Sequence, residues 1–141
     1  MKNVKISFAI EGEPKGKARP RYTGNSAYTP PATKEYETQV GWYYKAASRG
    51  FMFPADAAIH VQIIAYFGIP KSASKAKQQD MLEGKLRPLK KCDADNIAKI
   101  ILDGLNGIAY PDDKQITSLS VEKWYSDTPK VVVILSNDSP A

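Results

Sequence analysis

The chain has one cysteine and one histidine in 141 residues. Cys92 alone can form no internal disulfide and no zinc cluster, so a reducing, cytoplasmic setting is expected. His60 alone, inside an alternating apolar run, leaves a histidine-based triad without support. No apolar stretch approaches the ~20 residues of a membrane span, and Met1-Lys2-Asn3-Val4 opens no signal peptide. No GKS or GKT phosphate loop occurs, so no nucleotide cofactor is expected. No short repeat is present, and an apolar fraction of 43% sets the chain apart from disordered sequences.

The chain is long enough for a single domain with its own core, spanning 1–141. Its net charge of +5 is unevenly spread. Residues 1–50 carry nine Lys/Arg against four acids, and residues 71–91 carry seven against two. Residues 92–141 reverse the balance, with four lysines against eight acids. Basic blocks flanking an acidic segment suit a polyanion held around a cation-binding centre.

Periodicity supplies the elements. Val4, Ile6, Phe8 and Ile10 alternate as a strand, as do Ala57, Ile59, Val61, Ile63, Ala65 and Phe67. Between them, Gly12–Pro31 reads as a loop or ribbon. A helix over Ala32–Ser48 follows, with Tyr36, Val40, Tyr43 or Tyr44, and Ala47 as its apolar stripe. Ser72–Glu83 reads as a polar helix closed by Gly84, and Lys85–Lys91 as an extended basic tract. Asp93 or Asp95 opens a third helix that runs to Asn106. Strands over Ser118–Tyr125 and Lys130–Leu135 are joined by Ser126-Asp127-Thr128-Pro129. The sum is an α+β domain with a small mixed sheet.

Two patterns carry chemistry. The first is Asp93-Ala94-Asp95-Asn96-Ile97-Ala98-Lys99, followed by Asp103 and by Asp112-Asp113. In the third helix Asp95, Lys99 and Asp103 recur every fourth residue and form a polar stripe opposite the isoleucines. The turn after Gly107 can return a carboxylate to the helix start. Each acid also has a plain structural use, as a cap, a dipole partner or a turn residue. Several together repel unless a cation neutralises them, and oxygen ligands favour Mg²⁺, with Mn²⁺ as a substitute. Such an ion beside a lysine is what phosphodiester hydrolysis requires.

The second pattern is Pro14-Lys15-Gly16-Lys17-Ala18-Arg19-Pro20-Arg21-Tyr22. If extended, it projects Lys15, Lys17, Arg19 and Arg21 to one side as phosphate contacts, with Tyr22 and Tyr28 able to stack on an unpaired base.

Taken together, Asp93-x-Asp95-Asn96-x-x-Lys99, Asp113 18 positions beyond Asp95, and Pro14-Lys15-x-x-x-Arg19-Pro20-Arg21 with Tyr28-Thr29-Pro30 resemble the RusA family. Its members are Holliday-junction resolvases, small homodimeric endodeoxyribonucleases of phages and prophages. The resemblance covers roughly 14–121 and implies an α+β fold. It implies Asp93, Asp95 and Asp113 as Mg²⁺ ligands and Lys99 as a catalytic or phosphate-contacting lysine. Asn96, Asp112 and Asp103 are possible supporting residues. Cys92 stands where a basic residue would be expected, with Lys90 and Lys91 as candidate replacements for a DNA contact. The implied activity is paired, symmetric cutting of four-way DNA junctions in recombination and repair. The competing reading is a DNA-binding module without catalysis, in which the acids only cap and turn the chain.

Overall fold

A computed structural model describes residues 3–137; the expected single-domain span of 1–141 extends past it at both ends. Four strands form the main sheet: β1 (Lys5–Glu11), β4 (Ile59–Gly68), β5 (Ile116–Ser126) and β6 (Lys130–Asn137), in the order β1-β6-β4-β5. β6 is antiparallel to β1 and β4, while β4 and β5 run parallel, so the sheet is mixed. A separate two-stranded ribbon, β2 (Arg21–Thr23) and β3 (Ser26–Tyr28), lies within the loop-or-ribbon tract.

The turn over 126–129 does not close a hairpin. β5 and β6 lie on either side of β4, so the connection crosses the end of that strand. Composition explains the placement. β4 buries Ile59, Val61, Ile63, Ala65 and Phe67 on one face and carries Ile64 and Tyr66 on the other. β5 alternates with Ser118, Ser120 and Glu122 and buries no residue, which suits an edge.

Helix α1 (Pro31–Ser48) begins with proline at its first position and ends at Arg49 in the left-handed region, followed by Gly50 at φ 79°. Its buried stripe is Thr33, Tyr36, Val40, Gly41 and Tyr44; Tyr43 turns outward beside exposed Trp42. Helix α2 (Lys75–Leu82) is shorter than its polar pattern suggests and buries nothing; Ser74 caps it by accepting the Lys77 N–H. Helix α3 (Ala94–Leu105) buries Ile97, Ala98, Ile100, Ile101, Gly104 and Leu105. α1 and α3 cross closely because both have glycine at the contact. A Cβ on Gly104 would lie 2.9 Å from Glu37 O and from Val40 Cβ. One core joins these helices to the inner face of the sheet. No helix among the described residues is long and apolar enough to cross a membrane.

Candidate active site and nucleic-acid interface

Asp93 occupies the N-cap position of α3, where its carbonyl accepts the Ile97 N–H at 3.0 Å. Its side chain makes no capping hydrogen bond. The plain structural use of this carboxylate is therefore not taken up. Asp95 follows in the first turn, and Lys99 stands one turn on; both are exposed. Asp103 completes the stripe eight residues, or about 12 Å of helix axis, beyond Asp95.

The basic tract runs past this helix start. The Lys17 N–H donates to Asn96 O at 2.9 Å, and the Cys92 thiol donates to Pro14 O at 3.4 Å. Gly16 is needed for the approach: an added Cβ would meet Cys92 Cβ at 2.8 Å and Asn96 Cβ at 3.1 Å. Gly16, Lys17, Ala18, Lys91, Asp93 and Asn96 line the resulting cleft. Burial pushes the Cys92 thiol up, as do the nearby charges of Asp93 and Glu13, which favours the neutral thiol.

Of the four basic residues, Lys17 is drawn inward. Lys17 Nζ pairs with Glu37 Oε2 at 2.5 Å and with Asp103 Oδ2 at 3.1 Å. Lys15 Nζ lies 5.9 Å from the centre of the Tyr36 ring. Arg19 and Arg21 are exposed, and Arg21 begins the ribbon. In the second basic tract, Arg87 stacks on Trp124 at 3.3 Å and donates to Lys123 O. The Lys90 carbonyl accepts from Lys123 Nζ, which holds that tract to the β5 edge, while Lys90 and Lys91 remain exposed.

The turn carrying Asp112 and Asp113 meets α3 at its far end, not its start. Tyr110 anchors it, donating its hydroxyl to Leu102 O at 2.9 Å. Asp112 accepts the Lys114 N–H and Gln115 returns its side chain to Asp112 N, a reciprocal cap on the 3-10 turn at Asp113–Gln115. Gln115 also donates to Pro54 O and Ala57 O, fixing the turn to the body. The Asp113 carboxyl is pushed up by its hydrogen bond with Asp112, by burial, and by the charges of Asp112 and Asp103. The Lys114 N–H and Asp113 hold Asp112 down. Asp103, Asp112 and Asp113 therefore act on one another at one end of α3, and Asp93, Asp95 and Asn96 stand at the other, with Lys99 between.

Among the described residues, no three His, Cys, Asp or Glu side chains converge tightly enough to cage an ion. Mg²⁺ does not require a cage, since it commonly keeps several waters and takes one or two carboxylates plus substrate phosphates. The pair at the start of α3 fits that requirement: Asp93, exposed and uncommitted at the N-cap, and Asp95, exposed in the first turn.

Glu37 and Tyr110 were not legible as site residues, because their contacts join elements far apart in sequence. Gln115 did leave a signal, the Asp112-x-x-Gln115 capping spacing.

The family model described as Endodeoxyribonuclease RusA matches residues 11–136. The chain belongs to this family. A relative from Bacillus subtilis (strain 168), described as uncharacterized protein YqaN, is 33% identical over 135 residues, covering 92% of this chain and 94% of its own. The family match spans both the basic tract and the acidic stripe, so the two share the element set of an endodeoxyribonuclease.

Proposed function

We propose that this chain is a Mg²⁺-dependent endonuclease selective for branched DNA, resolving four-way junctions by paired cuts as a homodimer. The observation that carries the reading is the hydrogen bond from Lys17 N–H to Asn96 O. It ties the DNA-gripping tract to the turn of α3 that bears Asp93 and Asp95, so a backbone gripped by one is presented to the other.

Asp93 and Asp95, at the start of α3, would hold the ion together with substrate phosphate oxygens and water. Asp113, expected as a third ligand, stands with Asp103 and Asp112 at the other end of the helix, apart from that pair. When bound, Mg²⁺ makes water a competent nucleophile at neutral pH and offsets charge on the phosphate. Lys99, exposed between the two acidic ends, offsets the remaining charge on the phosphoryl oxygens. Arg19, Arg21, Lys90 and Lys91, all exposed, would supply backbone contacts, as would exposed Lys15 near the Tyr36 ring. Two equivalent sites related by a two-fold axis match a substrate with the same symmetry.

Incubation with a synthetic four-way junction, with and without Mg²⁺ or Mn²⁺, tests the reading. Symmetric nicks in wild type, lost in Asp95→Asn with binding kept or strengthened, support it. A wild type that binds junctions but never nicks them with either metal leaves a non-catalytic DNA-binding module.

A further inference from the structure

The β2–β3 ribbon is built unlike the rest of the protein. All six of its strand residues are exposed, and it belongs to a sheet of its own. An isolated two-stranded ribbon is marginal in water, yet this one carries an uncovered aromatic ring. Its register pairs Arg21 with Tyr28 and Tyr22 with Ala27. Cross-strand partners share a face, so Arg21 and Tyr28 lie on one side and Tyr22 stands on the other over a methyl group. The small partner leaves Tyr22 75% exposed.

The ribbon is also tethered at a fixed point. Lys17 is held by Asn96, Glu37 and Asp103, and Arg21 lies only four positions further on, at most about 14 Å of chain. The returning strand ends two residues before buried Pro30, at the start of α1. The tether thus keeps the start of the ribbon within about 14 Å of Lys17, which itself lines the cleft with Asp93.

We propose that the ribbon reads unpaired nucleotides, with Tyr22 stacking on an exposed base while Arg19 and Arg21 hold the flanking phosphates. The inference rests on the branched-DNA reading above and deepens it, since base stacking is interrupted at a branch point and the pairs there open more readily than those inside a duplex. A π-face accepts any base, so the element recognises unpairing rather than sequence. Its positive charge matches a phosphate backbone and opposes a basic partner.

The test measures binding of the full chain without divalent ions, so that no strand is cut. The probes are a fully paired duplex and the same duplex with one unpaired nucleotide. Wild type favours the second. Tyr22→Thr, which keeps strand propensity but has no ring, loses about 5- to 150-fold on the unpaired probe and little on the paired one. Tyr22→Phe retains the preference, which separates loss of the ring from damage to the ribbon. Arg21→Gln weakens both probes alike and lowers the salt slope by about 1.

Equal losses on both probes overturn the proposal, as does a wild type without preference. So does a Tyr22→Thr variant that changes only oligomeric state, which makes the ribbon a contact between copies. Because no cleavage is read, a protein that reads unpaired bases but never cuts keeps this inference and loses the nuclease reading.

Discussion

Lys17 Nζ lies between Glu37 Oε2 on α1 and Asp103 Oδ2 on α3, at 2.5 and 3.1 Å. One ammonium thus joins the basic tract to both helices, and the same residue's backbone bonds to Asn96. Lys17→Met would leave two carboxylates facing each other without a cation. A loss of about 1–2 kcal/mol in urea unfolding is expected, between the values of exposed and buried pairs. A double-mutant cycle with Glu37→Gln isolates the coupling, and a coupling near zero would show the pair to be incidental. The cost on DNA binding should exceed that of removing one charge, because the tract loses its anchor.

Two glycines separate anchoring from folding. At Gly16 an added methyl meets Cys92 and Asn96, which pushes the basic tract off the start of α3. Gly16→Ala should therefore lower junction binding and cutting several-fold with a small change in melting temperature. At Gly104 the methyl meets Glu37 O and Val40 inside the helix crossing. Gly104→Ala should cost about 1–3 kcal/mol of stability through overpacking. Swapped outcomes, with Gly16→Ala unfolding the chain and Gly104→Ala only lowering activity, would contradict this division.

The elements were legible in the sequence to the extent that burial follows a period. Ile97, Ile100, Ile101 and Leu105 marked the inner face of α3, and the same spacing marked Asp95, Lys99 and Asp103 as its outer stripe. Long-range placement left no comparable trace. Nothing in Pro111-Asp112-Asp113 tells which end of α3 it meets; that depends on the Tyr110 hydroxyl finding Leu102 O. Nor does alternation tell whether two strands pair, and β4 takes the centre because both its faces are more apolar than those of β5. Lys17 looked like its neighbours Lys15 and Arg19. Only the fold distinguishes it, by bringing Glu37 and Asp103 to it.

Three buried tyrosines should differ on losing their hydroxyls. Among the described residues, the Tyr36 hydroxyl is buried without a hydrogen-bond partner. Tyr44 donates to Phe51 O at 2.7 Å, and Tyr110 to Leu102 O at 2.9 Å. Tyr36→Phe should be neutral or stabilising by up to about 1 kcal/mol, since it removes an uncompensated desolvation. Tyr44→Phe and Tyr110→Phe should each cost about 1–2 kcal/mol, because a carbonyl is left unpaired. Chemical denaturation of the three variants checks the order. A Tyr36→Phe loss as large as the other two would mean its hydroxyl has a partner.

Stability should be flat near neutrality and fall in the alkaline range. Burial raises the phenols of Tyr36, Tyr44 and Tyr110 above their ordinary 10.0, Tyr44 to about 12. For Lys17, partial burial works downward, but the hydrogen bonds and charges of Glu37 and Asp103 prevail and raise it above 10.5. In all four groups the folded state holds its proton more tightly than the unfolded chain. Their contribution is complete below the unfolded values and is lost as pH rises through the folded ones. For Tyr44 the loss amounts to roughly 2–3 kcal/mol by pH 12. Unfolding free energy measured from pH 7 to 12 should therefore turn downward near pH 10. Tyr36→Phe should soften that slope while leaving the curve flat near neutrality, at the wild-type level or slightly above it. A variant curve that follows wild type throughout would show that Tyr36 ionises as freely in the folded protein as in the unfolded chain.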